Sequence, residues 1–213
     1  IVLTKRANGK AADVDLAGFP HHALDNYLPK LVKAGHRVAI CEQVEDPKMA
    51  KGIVKREVVE VVTPGTLTSD RTLNDRSNRY IGSIFSIKQY SGFSFLDSST
   101  GEFFIGECDN DDLNSFLIKF RPQEIIVSEK AKYATSDWYM EFQPFMSRVD
   151  DWMFDHDSAY RVLLKHFEVK TLKGFGCQNM KVGICAAGAL ANHMQTNLSS
   201  SLKHVSKLSP VIS

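Results

Sequence analysis

The sequence lacks any apolar run that could cross a membrane, and it has almost no net charge. No stretch approaches the roughly 18 consecutive apolar residues that a membrane span requires, and no basic start followed by an apolar segment indicates a signal peptide. The 26 Lys and Arg residues nearly balance the 25 Asp and Glu residues, which leaves a net charge of +1. The whole chain is therefore not a generic binder of polyanions, although a local basic cluster could still bind nucleic acid.

Metal and redox motifs are also missing. No Cys-x-x-Cys pair occurs, and no cysteine lies at ligand spacing from a histidine. We therefore expect buried, reduced thiols in a cytoplasmic protein at Cys41, Cys108, Cys177 and Cys185. The pair His21-His22 is followed at helical spacing only by Asp25, which is weak support for a metal site. A packed or surface histidine and a DNA contact are the alternatives.

A phosphate-binding loop of the form GxxxxGK[ST] is absent as well. The candidates Gly174-Phe175-Gly176 and Gly183-Ile184 have no Gly-Lys pair after them. A Walker-type nucleotide site within these residues is therefore excluded, and we predict no cofactor, no metal and no catalytic residue in this chain.

Residues 1–64 have the pattern of a small mixed α/β lobe. A short apolar strand is followed by a basic loop that contains the turn dipeptide Asn8-Gly9, and residues 14–18 are a candidate second strand. Apolar residues at helical spacing predict a helix, in which Pro29 predicts a kink or a late start and Gly35 a C-cap. A buried strand at Val38–Cys41 and an alternating strand at Ile53–Val62 complete the lobe.

Residues 65–79 are polar and predict a linker, and residues 80–198 predict a second domain. Three strands with short turn-rich connections indicate an antiparallel meander over 80–89, 92–97 and 102–108. Acidic residues 109–112 are expected to cap a helix over 112–120. A strand at 124–128, a weak helix at 135–141, a strand at 146–149 and helices at 156–167 and 181–197 follow. This order is typical of an RNase H-like fold with a mixed five-stranded sheet and flanking helices. We expect residues 199–213 to begin a third unit.

The order of strands and helices in the second domain also suggests an alternative function, that of a metal-dependent nuclease. RNase H-type nucleases hold two metal ions with a carboxylate cluster whose first member lies on the opening strand. The opening strand here, 81–89, has no acid, and the remaining acids are Asp97, Glu102 and Glu107. The simpler interpretation is that Asp97 caps a turn and that Glu102 is solvated.

Lys5, Arg6 and Lys10 are the best candidates for contacts to nucleic acid phosphate. Lysine and arginine in a basic loop bind backbone phosphate without reading sequence. A solvated charge cluster explains the same residues and stays open as the alternative.

Several segments resemble the MutS family of bacterial DNA mismatch repair proteins, and the likeness covers essentially the whole chain. They include residues 3–6, 17–23, 26–28, 30–32, 38–43, 46–47 and 62–66, with weaker likeness at 96–103 and 174–176. The resemblance implies that residues 1–64 are the C-terminal part of the mismatch-recognition domain and that residues 80–198 are the connector domain. Residues 199–213 would then begin the lever domain.

The resemblance also implies function and partners. It implies a non-enzymatic module of a mismatch recognition protein, with Lys5, Arg6, Leu16, Pro20 and His21 nearest to the duplex and Lys10 beside them. Mismatched double-stranded DNA, MutL docked on the connector, and a homodimer of the full-length protein are the implied partners. ATP and Mg²⁺ would bind outside this chain. The family's Gly-Asp-Phe-Tyr-Glu wedge motif does not occur in these residues, and the opening Ile1-Val2-Leu3 without Met leads us to expect a piece of a larger protein.

Overall fold

The computed structural model describes residues 2–8, 11–49, 52–67, 79–133, 139–140, 145–197 and 202–211. We call residues 2–67 the first lobe and residues 79–211 the second lobe. The predicted linker falls largely on residues 68–78, and the predicted weak helix falls largely on residues 134–138. Both predictions therefore lie mostly outside the described residues.

The first lobe contains two hairpin-like strand pairs and one helix. Strand β1 (Val2–Asn8) pairs antiparallel with β2 (Ala11–Gly18), and a 3₁₀ turn at His21–Ala23 leads into helix α1 (Leu24–Lys33). Strand β3 (Val38–Gln43) pairs antiparallel with β4 (Arg56–Val62). The small core of this lobe consists of Leu28, Val32, Val62 and Leu67.

Helix α1 differs from the prediction at its proline and agrees with it at its end. Pro29 lies inside α1, which begins at Leu24, so the helix does not start late at the proline, and a kink there stays a prediction. Gly35 has a positive φ of 83° just beyond the helix, and its N–H donates to the carbonyl of Val32 at 2.9 Å. The left-handed conformation costs a glycine little, and it ends the helix as predicted.

Two other predictions about the first lobe are wrong. The segment from Thr4 to Asn8 is not a basic loop but part of β1, because its backbone pairs with β2 and this pairing overrides the polar composition. Cys41 is exposed, and the strand predicted to be buried is not, because in β3 only Val38 and Ile40 are half-buried and the other four residues are exposed. The prediction of a buried thiol holds for the other three cysteines.

The second lobe is built on a six-stranded mixed sheet with the order β10-β7-β6-β5-β8-β9. Strands β5 (Ile81–Ile87), β6 (Tyr90–Asp97) and β7 (Glu102–Asp109) form the predicted antiparallel meander. Strands β8 (Glu124–Ser128) and β9 (Phe145–Val149) continue the sheet beyond β5 in parallel pairs.

Helices cover both faces of this sheet. Helix α2 (Leu113–Phe120) packs on one face through an aromatic cluster that includes Phe93, Phe95 and Phe116. Helices α3 (His156–Phe167) and α4 (Lys181–Asn197) pack on the other face, with the bounds that the sequence pattern predicts. The acidic cap predicted for α2 is not formed, because its first turn is a 3₁₀ turn at Asn110–Asp112 and the Asp112 side chain makes no capping hydrogen bond.

Small residues on α4 let this helix lie very close to its neighbours, as the sequence predicts. A Cβ added at Gly188 would lie 2.4 Å from the Cα and Cβ of Ala159 on α3. A Cβ added at Gly183 would lie 2.9 Å from the carbonyl oxygen of Gly106 on β7. The small side chains of α4 therefore serve core packing.

The sheet has one strand more than predicted. We expected residues 199–213 to begin a third unit, but their described part packs onto the second lobe. Leu202, Val205 and Leu208 are buried in the core shared with α3 and α4. Strand β10 (Ser209–Val211) pairs in parallel with β7 and forms one edge of the sheet. Burial of this apolar triplet explains why the segment joins the second lobe.

Candidate nucleic-acid interface

The β1–β2 hairpin carries Lys5, Arg6 and Leu16, three of the six residues predicted to contact DNA. Its register sets Lys5 opposite Asp15, Leu3 opposite Ala17, and Thr4 opposite Leu16. Lys5 is exposed, and so is Leu3, at 71%. An exposed lysine in line with an exposed leucine, on a hairpin outside the main sheet, is a plausible contact surface for a nucleic acid backbone.

The register separates two of the predicted residues. Successive residues of a strand belong to opposite faces, so Lys5 shares a face with Asp15 whereas the position of Arg6 shares a face with Leu16. Lys10 lies outside the described residues. The hairpin therefore sets the positions of Lys5 and Arg6 on opposite faces, unlike the single basic surface that a loop could form.

Pro20 and His21 follow directly from the end of β2. Both residues are exposed, and the carbonyl of Pro20 accepts the N–H of Ala23 at 2.9 Å. The rings of Phe19 and Tyr27 stack with a centroid separation of 4.6 Å, which anchors this turn to α1. Stacked aromatic rings attract each other, so the contact restrains Phe19 and the turn that follows it. Pro20 and His21 are therefore held at the surface in a defined position.

Sequence reasoning missed one basic residue near this turn. The Nζ of Lys30 lies 5.4 Å from the centre of the Tyr27 ring, and its side chain is exposed. The spacing of Tyr27 and Lys30 on one helical face was the signal that could have identified this pair. Lys30 thus adds a positive charge beside Tyr27, the ring that stacks on Phe19 of the turn.

Positive charge is concentrated in the first part of this lobe. Residues 1–37 contain six Lys and Arg residues against three Asp residues, whereas residues 38–62 contain four against five Asp and Glu residues. Segment 1–37, which includes the hairpin, the His21 turn and α1, therefore carries a net positive charge in the sequence. Segment 38–62, which includes the strand pair β3–β4, carries a net negative charge, and its exposed Lys55 and Glu57 form an ion pair at 2.6 Å.

The carboxylates that a nuclease would need are engaged in the structure of the second lobe. Asp97 accepts the N–H of Ser99 at 2.8 Å and that of Arg79 at 3.0 Å, which confirms that it caps the turn after β6. Glu107 accepts the N–H groups of Val182 and Gly183 at 2.6 and 2.9 Å, and so caps α4. Glu102 accepts the hydroxyl of Tyr80 at 2.6 Å and is not simply solvated as predicted.

These acids do not assemble into a metal site. In the part of the chain that the structure describes, no group of three or more His, Cys, Asp or Glu residues is arranged to hold a metal ion. No described helix is long and apolar enough to span a membrane.

Comparison with known proteins gives one consistent family. Residues 1–71 match the family model of MutS domain I, and residues 79–206 match that of MutS domain II. The chain is 46% identical to the DNA mismatch repair protein MutS of Parabacteroides distasonis over 99% of its own length. It is 44% identical to MutS of Porphyromonas gingivalis over 98%, and 41% identical to MutS of Cytophaga hutchinsonii over 99%.

The chain spans about a quarter of the length of these relatives, covering 24%, 23% and 24% of them respectively. The matched part is the region of domains I and II, and nothing in the described residues of this region points to catalysis. A mixed α/β chain with these two domain matches and this degree of identity belongs to the MutS family of DNA mismatch repair proteins.

Proposed function

We propose that residues 1–64 are a DNA-contacting domain and residues 80–198 a connector domain of a MutS protein, joined by residues 65–79. The observation that carries the proposal is the net positive charge of residues 1–37, which include the hairpin, the His21 turn and α1. In this proposal Lys5, Arg6 and Lys10 contact phosphate, and Leu16, Pro20 and His21 lie nearest to the duplex. The protein would work on the bacterial chromosome, in the cytoplasm.

Duplex binding by the 213-residue chain tests the proposal directly. The wedge motif does not occur in these residues, so the remaining contacts are to the backbone and carry no information about a mismatch. Fluorescence anisotropy should show weak binding that does not distinguish a G·T duplex from a fully paired one. With about two to four phosphate contacts, the slope of log affinity against log salt should be about −2 to −4.

A matched pair of lysine variants locates the interface. Lys5→Ala should weaken binding and make the salt slope less negative by about 1, because one phosphate contact is lost. Lys119→Ala removes another exposed lysine, from α2 of the second lobe, and should leave both values unchanged. Equal effects of the two substitutions, or a clear preference for the mismatched duplex, would contradict the proposal.

We propose a second role for the second lobe as the docking platform for MutL. It is supported by the match to MutS domain II and by the near-neutral charge of residues 63–213, with 16 Lys and Arg against 17 Asp and Glu. ATP and Mg²⁺ binding, and homodimer formation, are assigned to parts of the full-length protein outside these residues. Crosslinking of MutL to the DNA-loaded full-length protein tests this role, and no crosslink to residues 80–198 would count against it.

We further propose that the second lobe is an RNase H-like domain without nuclease activity. The support is the meander followed by α2 and the parallel strand β8, together with Asp97 and Glu107 being engaged in capping. Incubation with an RNA–DNA hybrid and Mg²⁺ or Mn²⁺ should yield no cleavage. Cleavage that Asp97→Asn abolishes would instead support the nuclease alternative.

A further inference from the structure

A fully buried carboxylate lies where the first lobe meets the second. Glu124, the first residue of β8, is 0% exposed. Its Oε2 accepts the N–H of Gly65 at 3.0 Å and the hydroxyl of Thr63, both from the turn that ends the first lobe. Its Oε1 accepts the hydroxyl of Ser147 on β9 at 2.5 Å. One side chain of the second lobe thus holds two groups of the first.

A second segment of the first lobe reaches the same group. The Nη2 of Arg37, between α1 and β3, donates to Oγ of Ser147 at 3.0 Å. Because a guanidinium can only donate, Ser147 accepts a hydrogen bond from Arg37 and donates its own hydroxyl to Oε1 of Glu124. Two separate parts of the first lobe are therefore connected to this carboxylate, one directly and one through Ser147.

The turn is shaped to approach Glu124 closely. The N–H of Thr63 donates to Oγ1 of Thr66 at 2.7 Å, and the two threonine hydroxyl oxygens are 3.0 Å apart. Both threonines are 1% exposed. A Cβ added at Gly65 would lie 2.8 Å from Oε2 of Glu124 and 2.9 Å from Cβ of Ile81. Only a glycine at this position allows the turn to dock on β5 and β8 without displacement.

The three groups that contact the Glu124 oxygens are all hydrogen-bond donors. Thr63, Gly65 and Ser147 all donate, and an ionised carboxylate can only accept. The Nε2 of His193 is 3.9 Å from Oε1, too far to replace a lost hydrogen bond. If the first lobe moved away, Oε2 would exchange both of its donors for water, so the orientation that these hydrogen bonds fix would be lost.

We infer that Glu124 is a positioning residue, which with Thr63, Gly65 and Ser147 forms a clasp that holds the first lobe in one orientation on the second. This inference goes beyond the proposed DNA contact and does not depend on it, because it concerns only how the two lobes are joined. A DNA-contacting surface held in this way would transmit its orientation to the second lobe.

The distance between two spin labels, one on each lobe, tests the clasp. Cys41 provides the exposed site on the first lobe, Lys165→Cys provides one on α3, and the other three cysteines are buried. Pulsed electron paramagnetic resonance should give a single narrow distance distribution for the chain with an intact clasp. Thr63→Val removes a hydroxyl at constant volume, and Gly65→Ala adds a methyl against Oε2. Each should shift or broaden the distribution.

Two control variants make the same chemical changes elsewhere. Thr196→Val acts on an exposed threonine whose hydroxyl donates to the carbonyl of Asn192 in its own helix, at 2.9 Å. Gly174→Ala acts where an added Cβ meets nothing within 4 Å. Both controls should keep the narrow distribution. An unchanged distribution in both clasp variants, or equal broadening in the controls, would overturn the inference.

Hydrogen exchange gives a second readout that does not require labels and remains usable if one clasp variant folds poorly. The Gly65 amide donates to Glu124, so its exchange rate reports opening of the clasp. In Thr63→Val this rate should rise by about tenfold or more, while amides of Ile125–Val127 in the core of β8 keep their protection. Equal acceleration at both places would indicate general destabilisation and would overturn the positioning role.

Discussion

Folding stability should fall as the pH is lowered from 7 to 5, and His193 should account for a defined part of that loss. His193 lies on α4 and is 5% exposed. The Nδ2 of Asn197 donates to its Nδ1 at 3.2 Å, so the neutral ring carries its proton on Nε2. Burial, and secondarily the charge of Arg37, lower the pKa of His193 from 6.5 to about 4. The Glu124 carboxylate nearby favours protonation, but it is already shared among three donors, and burial prevails.

Proton binding by the unfolded chain sets the direction and the size of this change in stability. Between pH 6.5 and about 4 the unfolded chain binds a proton at His193 and the folded chain does not, so protons favour unfolding. Stability from the neutral histidine is complete above pH 6.5 and is lost as the pH falls toward 4. A shift of about 2.5 pKa units corresponds to at most about 3 kcal/mol, of which about 2 kcal/mol is lost between pH 7 and pH 5.

Urea unfolding of the wild type and of His193→Gln at pH 7 and pH 5 measures this contribution. Both tryptophans, at positions 138 and 152, belong to residues 80–198, so intrinsic fluorescence follows this part of the chain. The variant should lose about 2 kcal/mol less stability than the wild type over this interval. His166, whose pKa burial also lowers, is present in both proteins and cancels. The same loss in both proteins would refute a buried, neutral His193.

Two further predictions concern thiols and helix packing. Under native conditions a thiol reagent should modify one of the four cysteines quickly, because Cys41 is exposed while the others are buried. Burial raises the pKa of Cys108 and Cys185 to about 11, and rapid labelling of more than one thiol would contradict this. Gly188→Ala should lower the free energy of unfolding by about 1–3 kcal/mol because the new methyl meets Ala159. Gly174→Ala serves as the control in the same thermal or urea unfolding experiment, and equal stabilities would count against the close helix contact.

The helices and the antiparallel strands of the second lobe were predicted well because the residue patterns that mark them lie close together in the sequence. Helix α3 has apolar residues at helical spacing, and α4 follows the break at Gly174-Phe175-Gly176 and is rich in alanine. The short turns after β5 and β6 leave an antiparallel pairing as the simplest arrangement. Strand β10 was missed because three residues carry no period, and its pairing with β7 joins segments about a hundred residues apart in the chain.

The first lobe and the candidate site were harder to predict from the residues alone. The polar segment after Leu3 indicates a loop by composition, but its pairing with β2 makes it a strand, and that pairing depends on partners a dozen residues away. The sequence does identify Lys5 and His21 as surface candidates, and both are exposed. It does not identify Glu124 as a junction residue, because a single glutamate before an apolar run is indistinguishable from a solvated strand end.

The order of strands in the second lobe has a mechanical consequence. The first lobe is attached at β8 and β9 through Glu124 and Ser147, whereas β10 forms the opposite edge of the sheet. Four strand spacings of about 4.8 Å separate β8 from β10, so these two strands lie about 20 Å apart in one hydrogen-bonded sheet. A tilt of about 5° at the attachment would displace the far edge by nearly 2 Å. Hydrogen-bonded strands would thus carry a small rotation across the lobe without any local unfolding.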